Sequence, residues 1–300
     1  MSIWVAGEVL IDILPSGAVV GGGPANTARA LARLGYEVDF IGGLSTDSHG
    51  VNARKKLERD GVGLGFALTS DLPTCTATVD VDSRGGARYE FLINGTATFD
   101  FDASWLPDPS TLKPSVLHIG TLATIIEPGA TVLFDWAIRV GEYAPIIFDP
   151  NVRPSVMSER EMYSASVEKW VSISSIVKVS DEDIAWLYPD ESLDEVAQRW
   201  IDQGVNCVIV TRGARGLIGF TEHGLEEIDS AKIKVIDTVG AGDTVGAIIV
   251  EGVIAHSVTG LQGHILNALL HKAAIAAGIT CSRAGAEPPR RHELIEAMEI

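Results

Sequence analysis

The chain has 300 residues, 40 of them acidic against 23 basic, for a formal net charge of -17. That balance excludes nonspecific binding to nucleic acid or to an anionic membrane. Any polyanionic ligand needs local Arg, Lys or Mg2+, which suffices because charge is screened over about 8 Å at physiological salt. Hydrophobic residues make up 46% of the chain and there are 31 glycines, a composition suited to a compact α/β enzyme rather than a disordered protein. Three cysteines, Cys75, Cys207 and Cys281, have no CxxC spacing, which argues against a disulfide framework or a zinc site and for a reducing compartment. The first residues show no basic leader, and Glu251 interrupts the best apolar run. The expected location is the cytoplasm.

In chain order, Ser2–Leu14 reads as a buried strand carrying two polar residues, Glu8 and Asp12, each of which needs a partner or a ligand. A glycine cluster, Gly21-Gly22-Gly23-Pro24-Ala25-Asn26, leads into a helix over Thr27–Leu34 closed by Gly35. A strand over Glu37–Ile41 and a helix over Asp47–Arg59, ended by Gly61, continue a β-α-β-α rhythm that predicts a parallel sheet with helices on its faces. The stretch Thr74–Ile93 breaks it: two alternating runs flank a turn at Ser83-Arg84-Gly85-Gly86, as in a hairpin standing off the main sheet. Strands resume at Val116–Gly120, Ile146–Pro150, Ile176–Val179, Cys207–Thr211 and Leu217–Phe220. A strand over Lys234–Asp237, an apolar helix from Val245, a long helix over Gly260–Ile279 and a terminal helix over Arg291–Met298 complete the pattern. With no repeat or linker, residues 1–300 read as one domain with an inserted β flap at about 74–95.

The most informative stretch is Asp237-Thr238-Val239-Gly240-Ala241-Gly242-Asp243. Glycines at a helix start let backbone N–H groups approach a phosphate, and the helix dipole adds positive charge there. Asp243 does not suit binding alone, because a carboxylate repels an anion. It suits a base that takes the proton of a hydroxyl attacking a phosphoryl group. The plainer alternative is an acidic first-turn residue complementing the dipole. A P-loop, a dinucleotide fingerprint after the first strand, G-x-S-x-G and H-E-x-x-H are all missing from the sequence.

The Asp237–Asp243 heptad and the Gly21–Asn26 cluster, with Gly35 and Gly43 at later spacings, resemble the two signatures of the ribokinase-like (PfkB) sugar kinases. The resemblance implies an α/β fold, a central mostly parallel sheet sandwiched by helices, and ATP-dependent phosphorylation of a small sugar. It implies sugar contacts at Asp12, Gly22, Gly23 and Asn26, with Asp243 as base, an anion hole formed by the N–H groups of Ala241, Gly242 and Asp243, and Gly240 in the same catalytic turn. Thr211, Arg212 and Gly213 match a phosphate-contacting Thr-x-Gly, with Arg215 more at home on the surface. Asp149-Pro150-Asn151-Val152-Arg153 resembles the fructokinase-type branch, where Arg153 either reaches substrate or ties down its loop.

Lys178, Ser180 and Asp183 fall on the nucleotide side, where Ser180 and Asp183 replace the family's Asn-x-x-Glu and Asp183 would reach Mg2+ through water. Ala274 stands at the adenine-side position. Backbone carbonyls of Val239, Arg283 and Gly285 would bind K+, although Pro289 replaces a serine of that cation site. The short Asp12–Gly21 span implies a reduced flap, leaving a monomer or a homodimer open, and Ile93 stands where an arginine is common. The expectation is therefore a kinase of fructose, with 2-keto-3-deoxygluconate, ribose or a nucleoside as alternatives. A non-catalytic sugar- or nucleotide-binding regulator on the same fold is the rival from another class.

Overall fold

The computed structural model describes residues 2–14, 17–81 and 87–299, so the expected turn at Ser83–Gly86 lies outside the described residues. Its first strands are β1 (Ile3–Ala6), β2 (Leu10–Leu14), β3 (Gly17–Gly21), β4 (Val38–Ile41), β5 (Gly43–Ser45), β6 (Leu68–Ser70), β7 (Thr76–Val81) and β8 (Ala87–Leu92). The later ones are β9 (Val116–Gly120), β10 (Ile146–Asp149), β11 (Ile176–Ser180), β12 (Cys207–Thr211), β13 (Leu217–Thr221) and β14 (Gly224–Ile228). An eight-stranded sheet runs β14-β13-β12-β11-β10-β9-β1-β4; it is parallel from β4 to β12, and β13 and β14 are antiparallel.

The helices are α1 (Gly23–Arg33), α2 (Ser48–Asp60), α3 (Pro109–Leu112), α4 (Gly129–Gly141), α5 (Arg160–Val171), α6 (Asp181–Leu187), α7 (Leu193–Asp202), α8 (Ala241–His256), α9 (Gly263–Cys281) and α10 (Arg291–Met298). Alternation along the strands builds two cores. In β1, Ile3 and Val5 join the core under α1, α8 and α9, while Trp4 and Ala6 join the one under α4, α5 and α7. The result is a sheet between two helical layers, as expected. Local chemistry sets the helix ends: Asp47 accepts a hydrogen bond from Gly50 N at 2.7 Å at the start of α2, and left-handed Gly61 closes it.

Three expectations change. The run Ser2–Leu14 is two strands in two sheets, not one. It breaks at Gly7-Glu8-Val9, where Gly7 has φ +145° and a side chain on it would strike Pro24. The flap is larger than a hairpin: β2 and β3 join β7 and β8 in a four-stranded sheet, ordered β3-β2-β7-β8. The short span from Asp12 to Gly21 suffices because β2 and β3 pair antiparallel, with Asp12 opposite Val19. Lys234–Asp237 forms no strand. Ile236 N and Asp237 N both donate to Cys281 O, while Val235 and Ile236 remain exposed. β14, which the sequence reading passed over, takes the sheet edge instead.

Buried charge anchors the glycine-cluster helix. Arg29, fully buried in α1, donates to Asp60 at 2.6 Å, to Ala286 O at 2.8 Å and to Glu287 at 3.0 Å; Arg33 reaches the same two carboxylates. Removing one partner of a buried pair leaves a charge without compensation. Asp60→Ala is expected to cost about 3 kcal/mol and lower the melting temperature by several degrees. A thermal melt within a degree of wild type would contradict this.

Candidate active site

Two cavities meet at the N-terminus of α8. The first, about 470 Å3, is lined by Glu8, Asp12, the Gly21–Gly23 turn, Asn26, Thr121, Asn151, Arg153 and Asp243, with Ala77 and Phe91 from the flap. The second, about 750 Å3, is lined by Thr211, Gly213, Leu217, the 230–235 segment, Val245, Ala274 and Ala277. Thr238 and Gly242 line both. One chamber is rich in hydroxyl-binding groups and the other is largely apolar, as a sugar and a nucleobase require.

The junction is built from the backbone outward. Gly240 adopts a left-handed conformation (φ +79°) and caps α8 without a side-chain hydrogen bond. Ala241 N donates to Thr238 O at 3.3 Å, so the anion hole expected from Ala241, Gly242 and Asp243 rests on the last two N–H groups. Gly242 has an ordinary helical φ, and what is tight there is the space. A Cβ there would lie 2.8 Å from Lys178 Nζ, which places the ammonium directly against the helix start. Lys178 is buried and donates to Asp149 Oδ2 at 2.8 Å. Burial opposes its charge, but Asp149, together with Asp243 and Asp183, outweighs burial and raises its pKa, so the positive charge persists.

Asp243 is itself buried, and Asn26 Nδ2 donates to its Oδ2 at 2.9 Å. Oδ1 faces the crowded spot at Gly23, where a Cβ would meet Thr121 Cγ2, Asn151 Nδ2 and Asp243 Oδ1 within 3.2 Å. Burial pushes the Asp243 carboxyl up to about 6, against the lowering effects of Lys178 and Asn26. Burial likewise raises Asp12, and it takes Glu8 to about 7 despite hydrogen bonds from Thr121 and Ala123.

The other expected residues divide. Asp12, Gly22, Gly23, Asn26, Arg153 and Val239 all line the first cavity; Thr211, Gly213 and Ala274 line the second. Arg153 also ties its loop, donating to Asn151 O and Val152 O. Arg212 is not part of the lining of the second cavity and pairs with Glu227 at 2.7 Å, and Arg215 pairs with Asp181. Ser180 and Asp183 form a capping box on α6. Both Asp183 oxygens are engaged, by Ser180 N and Val152 N, which leaves little for a metal-bound water. Asp237 clasps Val239 N and Gly285 N at 3.0 and 2.8 Å, whereas the Arg283 side chain pairs with Glu293.

Sequence reasoning did not assign Glu8, Thr121, Asn151 or Asp149 to the site. Glu8 carried a signal as a polar residue in an apolar strand, and Asn151 as part of the Asp149–Arg153 motif; Thr121 carried none.

Comparison with known proteins places this geometry. The model of the pfkB family carbohydrate kinases matches residues 17–292. The chain belongs to that family. It is an ATP-dependent sugar kinase. It is 32% identical to a fructokinase of Rhizobium leguminosarum bv. trifolii over 82% of this chain and 77% of that one. A fructokinase of Vibrio alginolyticus is 30% identical over 80% of each chain. Among solved structures, a fructokinase of Vibrio cholerae O395 with fructose, ADP and potassium ion superposes with TM-score 0.87 at 26% identity, over 99% of this chain and 98% of that one. A fructokinase of Xylella fastidiosa with bound ATP reaches TM-score 0.91 over the same shares, and at 24% identity that likeness speaks for the fold alone.

Two outcomes are expected of this kinase. A base must be ionised to accept a proton, and the Asp243 carboxylate forms above about pH 6. For the base role expected from the sequence, kcat/KM, which reports groups of the free enzyme, should therefore rise with pH through about 6 and level off, and a flat profile from pH 5 to 8 would contradict that expectation. Gly242→Ala should drive a methyl into Lys178 Nζ and lower kcat by at least about tenfold at unchanged melting temperature. Wild-type turnover in that variant would show that the contact is slack.

Proposed function

We propose that the kinase transfers the γ-phosphoryl group of ATP to a primary hydroxyl of a small ketose, fructose before others. The observation that carries this reading is Asp243 Oδ1, left free of Asn26 at the meeting point of a hydroxyl-binding cavity and an apolar one. In the first cavity Asp12, Asn26 and Arg153 offer the sugar acceptors and donors, and Gly22 and Gly23 let it approach the backbone. In the second, Leu217, Val245 and Ala274 receive the nucleobase, while Thr211 and Gly213 border the phosphates. The relatives named as fructokinases, and the fructose bound in the Vibrio cholerae enzyme, support the choice of sugar.

The transfer follows from these placements. The sugar hydroxyl oxygen attacks the γ-phosphorus as Asp243 Oδ1 takes its proton, and the bond to the bridging oxygen breaks, releasing ADP. The N–H groups of Gly242 and Asp243 and the Lys178 ammonium stabilise the charge that develops on the transferring group. Mg2+ arriving with ATP would neutralise charge on the β- and γ-phosphates. The described residues hold no cluster of three metal-ligating side chains, so the ion would rest on phosphate and water. Asp149, whose Oδ1 is buried without a partner, suits a metal-bound water better than Asp183 does. The two loops clasped by Asp237 bring Val239, Arg283 and Gly285 to one place, which supports a K+ site made of their carbonyls, as does the potassium ion in the Vibrio cholerae enzyme.

We place the activity in the cytoplasm, where three unpaired thiols persist, and leave the four-stranded flap as the surface through which a monomer would become a homodimer.

The test is ADP release across a panel of ketoses, aldoses, keto-acid sugars and nucleosides with Mg2+ and K+. Fructose should give the highest kcat/KM, and Asp243→Asn should lose at least about 10²-fold in kcat. A nucleoside or an acidic sugar as best substrate would overturn the choice of sugar.

A further inference from the structure

Glu8 lies where the chain leaves the main sheet for the flap sheet, between β1 and β2, and it borders the sugar cavity while being almost fully buried. Its Oε1 accepts a hydrogen bond from the Thr121 hydroxyl and its Oε2 accepts one from Ala123 N at 3.2 Å. Both donors belong to the short turn after β9, Thr121–Thr124. Thr121 has φ +57°, a conformation that is costly for a β-branched residue and persists only where the surroundings enforce it. The same residue pushes its methyl group to the spot where a Cβ on Gly23 would sit, beside Asp243 Oδ1, and the next residue, Leu122, lines the cavity.

We propose that Glu8 is a positioning residue of the sugar subsite: its carboxylate clamps the strained Thr121–Leu122 turn through two donors and so holds the cavity wall against which the ketose rests. A carboxylate suits this task because each oxygen accepts, so one side chain takes both the hydroxyl and the N–H. A glutamine presents one acceptor and one donor, and it leaves one of those two donors facing an amide N–H. The clamp also ties the wall to the crossing into the flap, because Glu8 itself sits between β1 and β2, where a Cβ on Gly22 would lie 2.6 Å from Glu8 O and Thr98 donates to Val9 O at 3.1 Å. The proposal rests on the cavity around Asp12 and Asp243 being the ketose site.

Steady-state kinetics of Glu8→Gln, Thr121→Val, Thr121→Ser and the Glu8→Gln/Thr121→Val double variant test it, with sugar and ATP varied separately. Glu8→Gln and Thr121→Val should each raise the ketose KM about tenfold, with kcat within threefold and ATP KM within twofold of wild type. Thr121→Ser keeps the hydroxyl and should stay near wild type, and the double variant should be no worse than the worse single, because both remove one interaction. Wild-type ketose KM in Glu8→Gln and Thr121→Val overturns the clamp. So do ketose and ATP KM rising together, which marks general loosening. If Glu8→Gln fails to fold, the contrast between Thr121→Val and Thr121→Ser decides. A wild-type chain silent on every ketose sinks the ketose reading instead, and the clamp is then scored on whichever sugar of the panel is turned over.

Discussion

The structure depends on keeping one carboxylate, Asp243, buried at the start of a helix. Moving its pKa from 3.8 to about 6 corresponds to a net of about 3 kcal/mol against the ionised form, burial outweighing neighbours that favour it. A raised carboxylate weakens the fold above its ordinary pKa and not below it, so this cost is present at neutral pH. The neighbours limit it. Asn26 donates to Oδ2, Lys178 lies against the helix start with its charge intact, and α8 directs its free N–H groups to the same place. The same burial that costs stability leaves Oδ1 poorly solvated and basic enough to take a proton near pH 7.

Most of the fold serves that junction. The parallel strands β9, β10 and β11 end side by side, delivering Thr121, Asn151 and Lys178 to one edge, and the glycine cluster brings α1 and Asn26 in from beside β1. Ligands of open α/β sheets collect at the carboxyl ends of the strands for this reason. Arg29, one turn after Asn26, holds the loop at Ala286, and that loop packs against Gly240. Thus a single buried guanidinium links α1 to the glycine that caps α8.

Much of this was legible in the sequence. Strand positions, helix stops at Gly35 and Gly61, and the glycine–aspartate heptad are written in local chemistry, and the residues singled out there, Asp243, Asn26 and Asp12, line one cavity. What local chemistry could not carry was pairing at a distance. The break at Gly7 depends on Pro24, which lies 17 positions along the chain, so one apolar run concealed two strands. Val235 and Ile236 looked like a strand because they are β-branched, yet no neighbour strand accepts them and their segment borders the nucleotide cavity. Arg212 sits in a motif that points at phosphate, but it pairs with an acidic partner on β14, itself overlooked. Gly242 reads in the sequence as room for a phosphate, and the structure adds a neighbour the sequence does not show there, the ammonium of Lys178, 64 residues earlier.

The central claim is that Asp243 acts in the chemistry and not in holding substrates. Calorimetric titration of Asp243→Asn with fructose, in the presence of a non-hydrolysable ATP analogue, separates the two most directly. The account predicts a fructose affinity within a few-fold of wild type in a variant that no longer transfers phosphate. Loss of fructose binding in that variant would contradict it, making Asp243 a sugar anchor and leaving the base to be sought elsewhere in the cavity.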